Sequence, residues 1–320
     1  FSSEAFRMTE QQSLAYRVRR LSISHALGGL RHSLMPYFYL APALFFIGLF
    51  VLWPVVRTFY YSLYNGNLLN PYREYVGVGR YVDLLTDSRF HQILMQSGYY
   101  LLFVLAGAFV LPIFLAILTL NVTDREIALF QSVFFLPTVI AANIAVSIWI
   151  WFYNPTGGLF NALLESAGIE PVVWLRNSST VIPAVALVAV WKQMGFHYLI
   201  ALAGLKAIPN DLIEAAAVDG AGNWTITRRV ILPLFGPSAL FLFVITLIQG
   251  LEFTFVPIEV LTGGGPAGAS SNLMYSIYQE GFKSFRIGVA SAQSVVLIVL
   301  FGGLAYVQYR MLERNVHYDR

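Results

Sequence analysis

The polar stretch of residues 211–237, DLIEAAAVDGAGNWTITRRVILPLFGP, lies between two long apolar runs. Asp211, followed three residues later by Glu214, is typical of a capping box, and the alanines behind it favour a helix. We therefore predict a short helix that begins at Asp211 and that Gly220 and Gly222 end, because glycine tolerates positive φ. Such a helix, of about two to three turns, is marginal in water alone and needs something to pack against.

The composition of the chain is that of a membrane protein. Of its 320 residues, 57% are hydrophobic and 12% are charged, whereas about 25% are charged in soluble domains. The net charge of +3 is modest and the basic residues are spread along the chain, so nucleic-acid binding is not predicted. The absence of cysteine excludes disulfides and thiolate chemistry.

Apolar runs long enough to cross a bilayer occur six times, since a span needs about 20 residues for a hydrocarbon core of about 30 Å. The predicted spans are residues 39–61, 99–120, 129–153, 181–205, 234–256 and 288–309. The predicted fold class is therefore an all-α integral membrane protein. Residues 1–36 form either an amphipathic surface helix or a disordered lead, residues 37–310 form the transmembrane domain, and residues 311–320 form a tail.

The distribution of Lys and Arg predicts the orientation. With both termini in the cytosol, twelve of the twenty Lys and Arg residues lie on the cytosolic side, seven lie outside, and Lys192 lies within a span. The positive-inside rule favours this arrangement. It places the segment of residues 206–233, with Arg228 and Arg229, in the cytosol.

Motifs for catalysis are missing from the sequence. None of the lysines, Lys192, Lys206 and Lys283, follows a glycine, so there is no phosphate-binding P-loop. The five histidines have no metal-ligand spacing, and no GxSxG nucleophile motif occurs. We predict a non-catalytic subunit that binds no metal or cofactor itself and that takes its energy from a partner.

Polar residues within the predicted spans mark a candidate pathway for a solute, because polar groups in a membrane face a cavity or another helix. For Lys192 the alternatives are a cavity-lining or ion-pair role and snorkelling to the interface. Amides, carboxylates and aromatic faces suit a hydroxyl-rich solute, although interfacial anchoring is an alternative for each aromatic side chain. The candidates are Asn143, Trp149, Lys192, Gln193, Gln249 and Glu252.

Three short motifs, Glu214-Ala215-Ala216, Asp219-Gly220-Ala221 and Ile231-Leu232-Pro233, resemble the "EAA" loop of ABC importer permeases. Leu261 to Pro266, LTGGGP, and residues 75–81, YVGVGRY, are similar to elements of the carbohydrate-uptake class, which includes maltose and glycerol-3-phosphate permeases. Arg80 departs from this pattern, in which asparagine is usual. The resemblance covers nearly all of the chain beyond residues 1–36.

The resemblance implies a type I importer fold in which residues 206–233 form a cytosolic coupling loop against an ATP-hydrolysing subunit. The implied coupling residues are Asp211, Glu214, Ala215, Ala216, Asp219, Gly220, Ala221 and Pro233. The implied partners are a second, related permease subunit, two ATPase subunits that bind ATP and magnesium, and an extracytoplasmic solute-binding protein. The implied location is the bacterial or archaeal inner membrane.

The expected function is import of a solute by alternating access, driven by ATP hydrolysis on the partner subunits. A phosphate-bearing solute needs several cations around its path, and only Lys192 and Arg57 qualify, which favours a neutral sugar, oligosaccharide or polyol. The alternative is a self-contained secondary transporter driven by an ion gradient. That class predicts paired ionisable groups or broken helices near the bilayer midplane.

Overall fold

The computed structural model describes residues 37–67 and 70–315. The predicted lead of residues 1–36 lies outside the described residues, as does half of the predicted tail. The chain divides into two units, residues 1–60 and 61–320. In the first unit lies most of helix α1, Tyr37–Ser62, in which Phe45, Phe50 and Trp53 are exposed, as expected of side chains that face lipid.

The second unit begins with a small non-helical element that the predicted all-α fold does not contain. Strand β1, Tyr64–Asn67, pairs antiparallel with β2, Asn70–Tyr75. The rings of Tyr64 and Tyr75 meet edge to face with their centroids 5.4 Å apart. Tyrosine suits a strand because its ring packs across to the neighbouring strand.

Helices make up most of the rest of the described chain. They are α2, Gly79–Thr86; α3, Ser88–Leu118; α4, Asp124–Val139; α5, Ala142–Phe152; α6, Leu159–Ser166; α7, Val181–Lys206; α8, Asn210–Val218; α9, Asn223–Thr262; α10, Leu273–Tyr278; and α11, Ile287–Asn315. Among the described residues, five helices are long and apolar enough to cross a membrane, and the count is six if α4 and α5 form one bent span. The prediction of about six spans is therefore confirmed.

The bounds of two predicted spans are wrong at their starts. Helix α3 begins at Ser88, well before residue 99, because Asp87 caps it by accepting a hydrogen bond of 2.8 Å from the Arg89 backbone N–H. Helix α9 begins at Asn223, well before residue 234. Both helices extend past their apolar stretch into polar sequence, which a hydropathy criterion does not register.

The third predicted span, residues 129–153, is not a straight helix. Helices α4 and α5 meet at an angle of 99°, because Ile140 and Ala141 have extended backbones with ψ of 133° and 139°. Pro137 is buried within α4, where a proline also removes a backbone donor from the helix. The single span is therefore corrected to a broken one.

Helix α7 is the centre of the second unit. Of its most apolar stretch 61% is buried, compared with 22% in α3. One core cluster packs around Val185 and Ala189, and another packs around Tyr198 and Leu202. The helix thus organises both halves of the core, and its polar residues are placed inside the protein.

Candidate functional site: the 206–233 segment and a cavity between the spans

The start of the short helix in segment 206–233 differs from the predicted capping box. Helix α8 begins at Asn210 behind Pro209, whose φ of −59° suits a helix start and which has no side-chain hydrogen bond to offer as a cap. Asp211 therefore lies within the first turn, where a carboxylate stabilises the helix through its dipole. Glu214 lies one turn further on and makes no cap.

The end of α8 follows the prediction at Gly220 but not at Gly222. Gly220 has a φ of +82°, and the N–H groups of Gly220 and Ala221 donate to Ala217 O and Ala216 O, both at 3.0 Å. This pair of bonds is a Schellman motif, which requires a left-handed residue at Gly220. Gly222 has a φ of −72° and instead precedes the first turn of α9, so its predicted role in ending α8 is wrong.

Residues 223–231 form the first turns of α9. Thr227 Oγ1 donates to Asn223 O at 2.9 Å within those turns. The turn at 227–231 is wider than an α-helical turn and carries Arg228 and Arg229. Segment 206–233 thus contains a short helix, a four-residue connection at residues 219–222 and the first turns of a spanning helix.

One face of segment 206–233 packs against the ends of the spans. Ile213, Ala216 and Ala221 contact the core cluster around Tyr198 and Phe235. Lys206 also lies 3.4 Å from Asp124 of α4 in an exposed ion pair. The buried face is therefore apolar and ties α8 to the ends of the spans.

The opposite face is open. Val218 is 87% exposed and Trp224 is 74% exposed. The predicted coupling residues Asp211, Glu214, Ala215, Asp219 and Gly220 are exposed along α8 and at its end, and Pro233 is exposed further on, in α9. Ala216 and Ala221 belong to the packed face instead. The predicted coupling residues are therefore divided between a face that packs on the spans and a face that is exposed. Large exposed apolar side chains beside charges are typical of a protein-docking surface.

Lys192 forms hydrogen bonds to the backbone at the break between α4 and α5. Its ammonium donates to three backbone carbonyls, of Pro137 at 3.3 Å, Thr138 at 3.3 Å and Ile140 at 2.5 Å. Thr138 Oγ1 donates in return to Lys192 O at 3.0 Å. A cation at a helix C-terminus satisfies carbonyls that have no helical partner, and the lysine therefore need not snorkel to an interface.

A cavity of about 370 Å³ lies beside this break. It brings together two of the predicted pathway residues, Lys192 from α7 and Glu252 from α9. The rest of the wall is apolar and includes Val146, Phe255 and Met274. Ligand sites commonly combine apolar walls with few polar groups, and this cavity has that composition.

The other predicted pathway residues do not line this cavity. Asn143 is exposed on α5, and Gln249 is partly buried on α9. Gln193 is 3% exposed, and both polar atoms of its side chain lack a hydrogen-bond partner. Their contact with a solute stays a prediction.

Trp149 lies inside an aromatic cluster of the described residues. Its ring centroid is 5.4 Å from that of Tyr153, 5.7 Å from that of Phe160 and 5.6 Å from that of Trp191. The side chain is 4% exposed, so its faces are covered and do not stack on a solute here. The cluster instead packs the end of α5 against α6 and α7.

Asn161 is a buried side chain that is not among the predicted pathway residues. Its Oδ1 accepts hydrogen bonds from Val172 N at 3.1 Å and Trp174 Nε1 at 2.9 Å, and its Nδ2 donates to Pro155 O at 3.2 Å. A buried amide that joins three loop positions fixes the connection between α5 and α7. The described residues contain no cluster of His, Asp or Glu able to hold a metal ion.

Several spans around a cavity, with an exposed helix at one end, define the class of membrane transport proteins. The family model described as "Binding-protein-dependent transport system inner membrane component" matches residues 30–318, and the chain belongs to this family. It is thus a multi-pass inner-membrane permease component of a binding-protein-dependent ABC importer. The alternative of a self-contained, gradient-driven transporter also predicts a broken helix such as α4–α5, but the family match disfavours it.

Curated relatives match over nearly the whole chain. The sn-glycerol-3-phosphate transport system permease protein UgpA of Yersinia enterocolitica is 35% identical over 302 residues, which are 93% of this chain and 100% of that protein. UgpA of Escherichia coli is 33% identical over 287 residues, covering 89% and 96%. Each match therefore covers nearly the whole of the relative.

A solved structure shows the same fold. The crystal structure of a bacterial ABC transporter involved in the import of the acidic polysaccharide alginate matches with a TM-score of 0.78 and 24% identity, covering 91% of this chain and 99% of that chain. A methionine ABC transporter, MetNI, matches with a TM-score of 0.50 and 18% identity over 72% of this chain. These likenesses confirm the predicted type I permease fold.

Proposed function

We propose that this permease couples ATP hydrolysis on partner subunits to alternating-access import of a sugar, oligosaccharide or polyol-type solute. The observation that carries the proposal is the division of segment 206–233 into a face packed on the spans and a face open to a partner. Because Ile213 and Ala216 join α8 to the core around Tyr198, a push on the open face is passed to α7 and α9. Glu214 and Asp219 supply polar contacts on that open face.

The proposed assembly follows from the family. It contains a second, related permease, two ATPase subunits that carry ATP and magnesium, and an extracytoplasmic protein that delivers the solute. One relative in the solved structures is titled as an alginate ABC transporter in complex with an alginate-bound periplasmic protein, which supports such a delivery route. Segment 206–233 faces the cytosol in this proposal, with both termini of the chain on that side and the three ranges 1–36, 37–310 and 311–320 as predicted.

The charge of the cavity between the spans favours a neutral solute. Lys192 is the cation on its wall and Glu252 is an anion there. The Lys192 ammonium is directed to the carbonyls of Pro137, Thr138 and Ile140, so it offers little to a phosphate, which binds best to several convergent donors. Relatives named for sn-glycerol-3-phosphate make that ester the necessary comparison solute.

Purification in mild detergent tests the assembly. We expect an ATPase and a second permease to accompany this chain, and a solute-loaded binding protein to stimulate ATP hydrolysis in the reconstituted complex. Competition with glycerol-3-phosphate and with neutral saccharides then assigns the solute class. Ion-gradient-driven uptake by the chain alone, with no associated ATPase, would contradict the proposal.

A further inference from the structure

A second and larger cavity, of about 760 Å³, lies at the other end of the spans from segment 206–233. Helix α9 starts within that segment and ends at Thr262, and the turn that follows it, residues 262–268, forms one wall of this cavity. The opposite wall comes from α2 and the start of α3, including Asp83 and Gln96. We call this space the distal cavity.

The turn of residues 262–268 is held in place by hydrogen bonds, although its glycines favour a flexible loop. Ser270 Oγ donates to Gly265 O at 2.6 Å and lies 2.8 Å from Thr262 Oγ1. Gly264 has a φ of +86°, and a side chain there would come within 2.9 Å of the Tyr275 ring. Glycine thus allows the backbone to form a fixed wall close to α10.

The charges around the distal cavity balance. The charged side chains on its walls are Arg80, Arg89, Arg286, Asp83, Asp87 and Glu280, which are three cations and three anions. Arg286 and Glu280 already form an ion pair of 2.6 Å. The uncharged polar groups include four amides, those of Gln92, Gln96, Gln279 and Gln293. A net charge of zero gives no preference for an anion, in contrast to phosphate sites, which gather cations.

Three polar atoms on these walls are buried without a hydrogen-bond partner: Gln96 Oε1, Arg80 Nε and Glu280 Oε2. Gln96 is only 6% exposed. Buried polar groups normally make hydrogen bonds, and these two side-chain oxygens and one N–H do not. Burial also lowers the pKa of the Arg80 guanidinium, although Asp83 opposes the shift.

We propose that the distal cavity is a second solute site, which binds a neutral, hydroxyl-rich molecule before it enters the cavity beside Lys192. A hydroxyl group can donate to Gln96 Oε1 or Glu280 Oε2 and can accept from Arg80 Nε–H, so a hydroxyl-rich molecule carries the partner that each of these atoms lacks. The volume lies within the range of about 300–1,000 Å³ that is usual for small-molecule sites. The inference rests on the proposed solute class but not on the coupling role of segment 206–233.

The cysteine-free chain permits a labelling test in membranes that contain the whole transporter without its binding protein. Gln92→Cys places a thiol on the exposed wall of the distal cavity, and Ser166→Cys is a matched control on α6, exposed and away from the cavity. The probes are maltotriose, sucrose and glycerol-3-phosphate. At a saccharide concentration of twice its Kd, labelling of Gln92→Cys should slow about threefold by mass action while Ser166→Cys is unchanged.

A second variant separates binding from folding. Gln96→Leu keeps the size of the side chain and removes an oxygen that has no partner, so the fold should tolerate it while saccharide protection of Gln92→Cys is lost. Protection by glycerol-3-phosphate alone would overturn the neutral-solute assignment. Protection by the binding protein but by no saccharide would make the cavity a docking site and overturn the inference. Saccharide-stimulated ATPase activity in the same membranes, supplied with the binding protein, would show that the proposed function still holds.

Discussion

Segment 206–233 and the span break at Lys192 are built in opposite ways. The hydrogen bonds that shape α8 join residues a few positions apart, such as Ala221 N to Ala216 O, and the outward face is exposed. The bonds at the break join Lys192 of α7 to carbonyls 52 to 55 positions earlier in the chain, at the C-terminal end of α4. A change in segment 206–233 should therefore alter coupling before stability, and a change at the break should alter stability first.

The largest effect is expected from Gly195→Ala in the wall of the break. A side chain there would collide with the backbone of Phe134 and Phe135 on α4, and backbone cannot swing aside as a side chain does. Overpacking of this kind costs about 1–3 kcal/mol or more, so the yield of folded, monodisperse protein on size-exclusion chromatography should fall sharply. Gly236→Ala is the matched control, because its side chain would meet nothing within 4 Å; equal yields for both variants would contradict the close packing of α7 on α4.

Gly220→Val tests the opposite expectation. Its φ of +82° is unfavourable for a residue with a side chain by about 1–2 kcal/mol, and valine is worse because it is β-branched. We expect normal membrane insertion and loss of solute-stimulated ATP hydrolysis. Gly222→Ser is the control, since its φ of −72° suits serine at a helix N-cap. If both variants hydrolysed ATP normally, the shape of α8 would not matter for coupling.

Lys192→Met and Glu252→Gln distinguish the roles of the two charged residues on the wall of the cavity beside the break. Methionine leaves three carbonyls at the break without their donor, and the free energy of unfolding should fall by about 1–3 kcal/mol, seen as a lower thermal midpoint in detergent. Glu252→Gln changes an exposed group on the cavity and should alter solute uptake while the midpoint stays unchanged. A reversed pattern would mean that Lys192 serves the solute and Glu252 the fold.

The smallest effect is expected from Lys206→Ala. Its ion pair with Asp124 measures 3.4 Å, and the two side chains are 47% and 97% exposed. Exposed pairs of this kind contribute about 0–1 kcal/mol. The thermal midpoint and its dependence on salt should both remain near those of the unsubstituted protein, and a large drop would show that this pair helps to fix the end of α7 to the start of α4.

The parts of the molecule that were predicted from sequence are those encoded locally. The apolar runs predicted six spans, which matches the count when α4 and α5 form one bent span, and Gly220 marked the end of α8. The start of α8 was misplaced because Pro209 and not Asp211 occupies the cap position. A capping box does exist at Thr123 and Glu126, where Thr123 N donates to Glu126 Oε2 at 2.8 Å, and its spacing was visible in the sequence.

The parts that sequence did not predict depend on distant contacts. Nothing near Lys192 in the chain indicates that its ammonium would meet the carbonyls of Pro137 and Ile140, so its bonding to the break between α4 and α5 was not predicted. Trp149 was assigned to the solute path from its residue type, whereas its aromatic neighbours come from three parts of the chain, with Phe160 and Trp191 lying outside α5. The distal cavity likewise joins residues near 90 with residues near 270.

The central claim is that the open face of α8 contacts an ATP-hydrolysing subunit. Ala217→Cys adds a thiol at an exposed position of α8 in a chain that has no other cysteine, and a bifunctional crosslinker can then be applied to membranes that contain the whole transporter. We predict a crosslink to the ATPase subunit whose yield changes with ATP, and none from the control Ser166→Cys. A crosslink from Ala217→Cys to the extracytoplasmic binding protein, or equal ATPase crosslinking from both positions, would contradict the account.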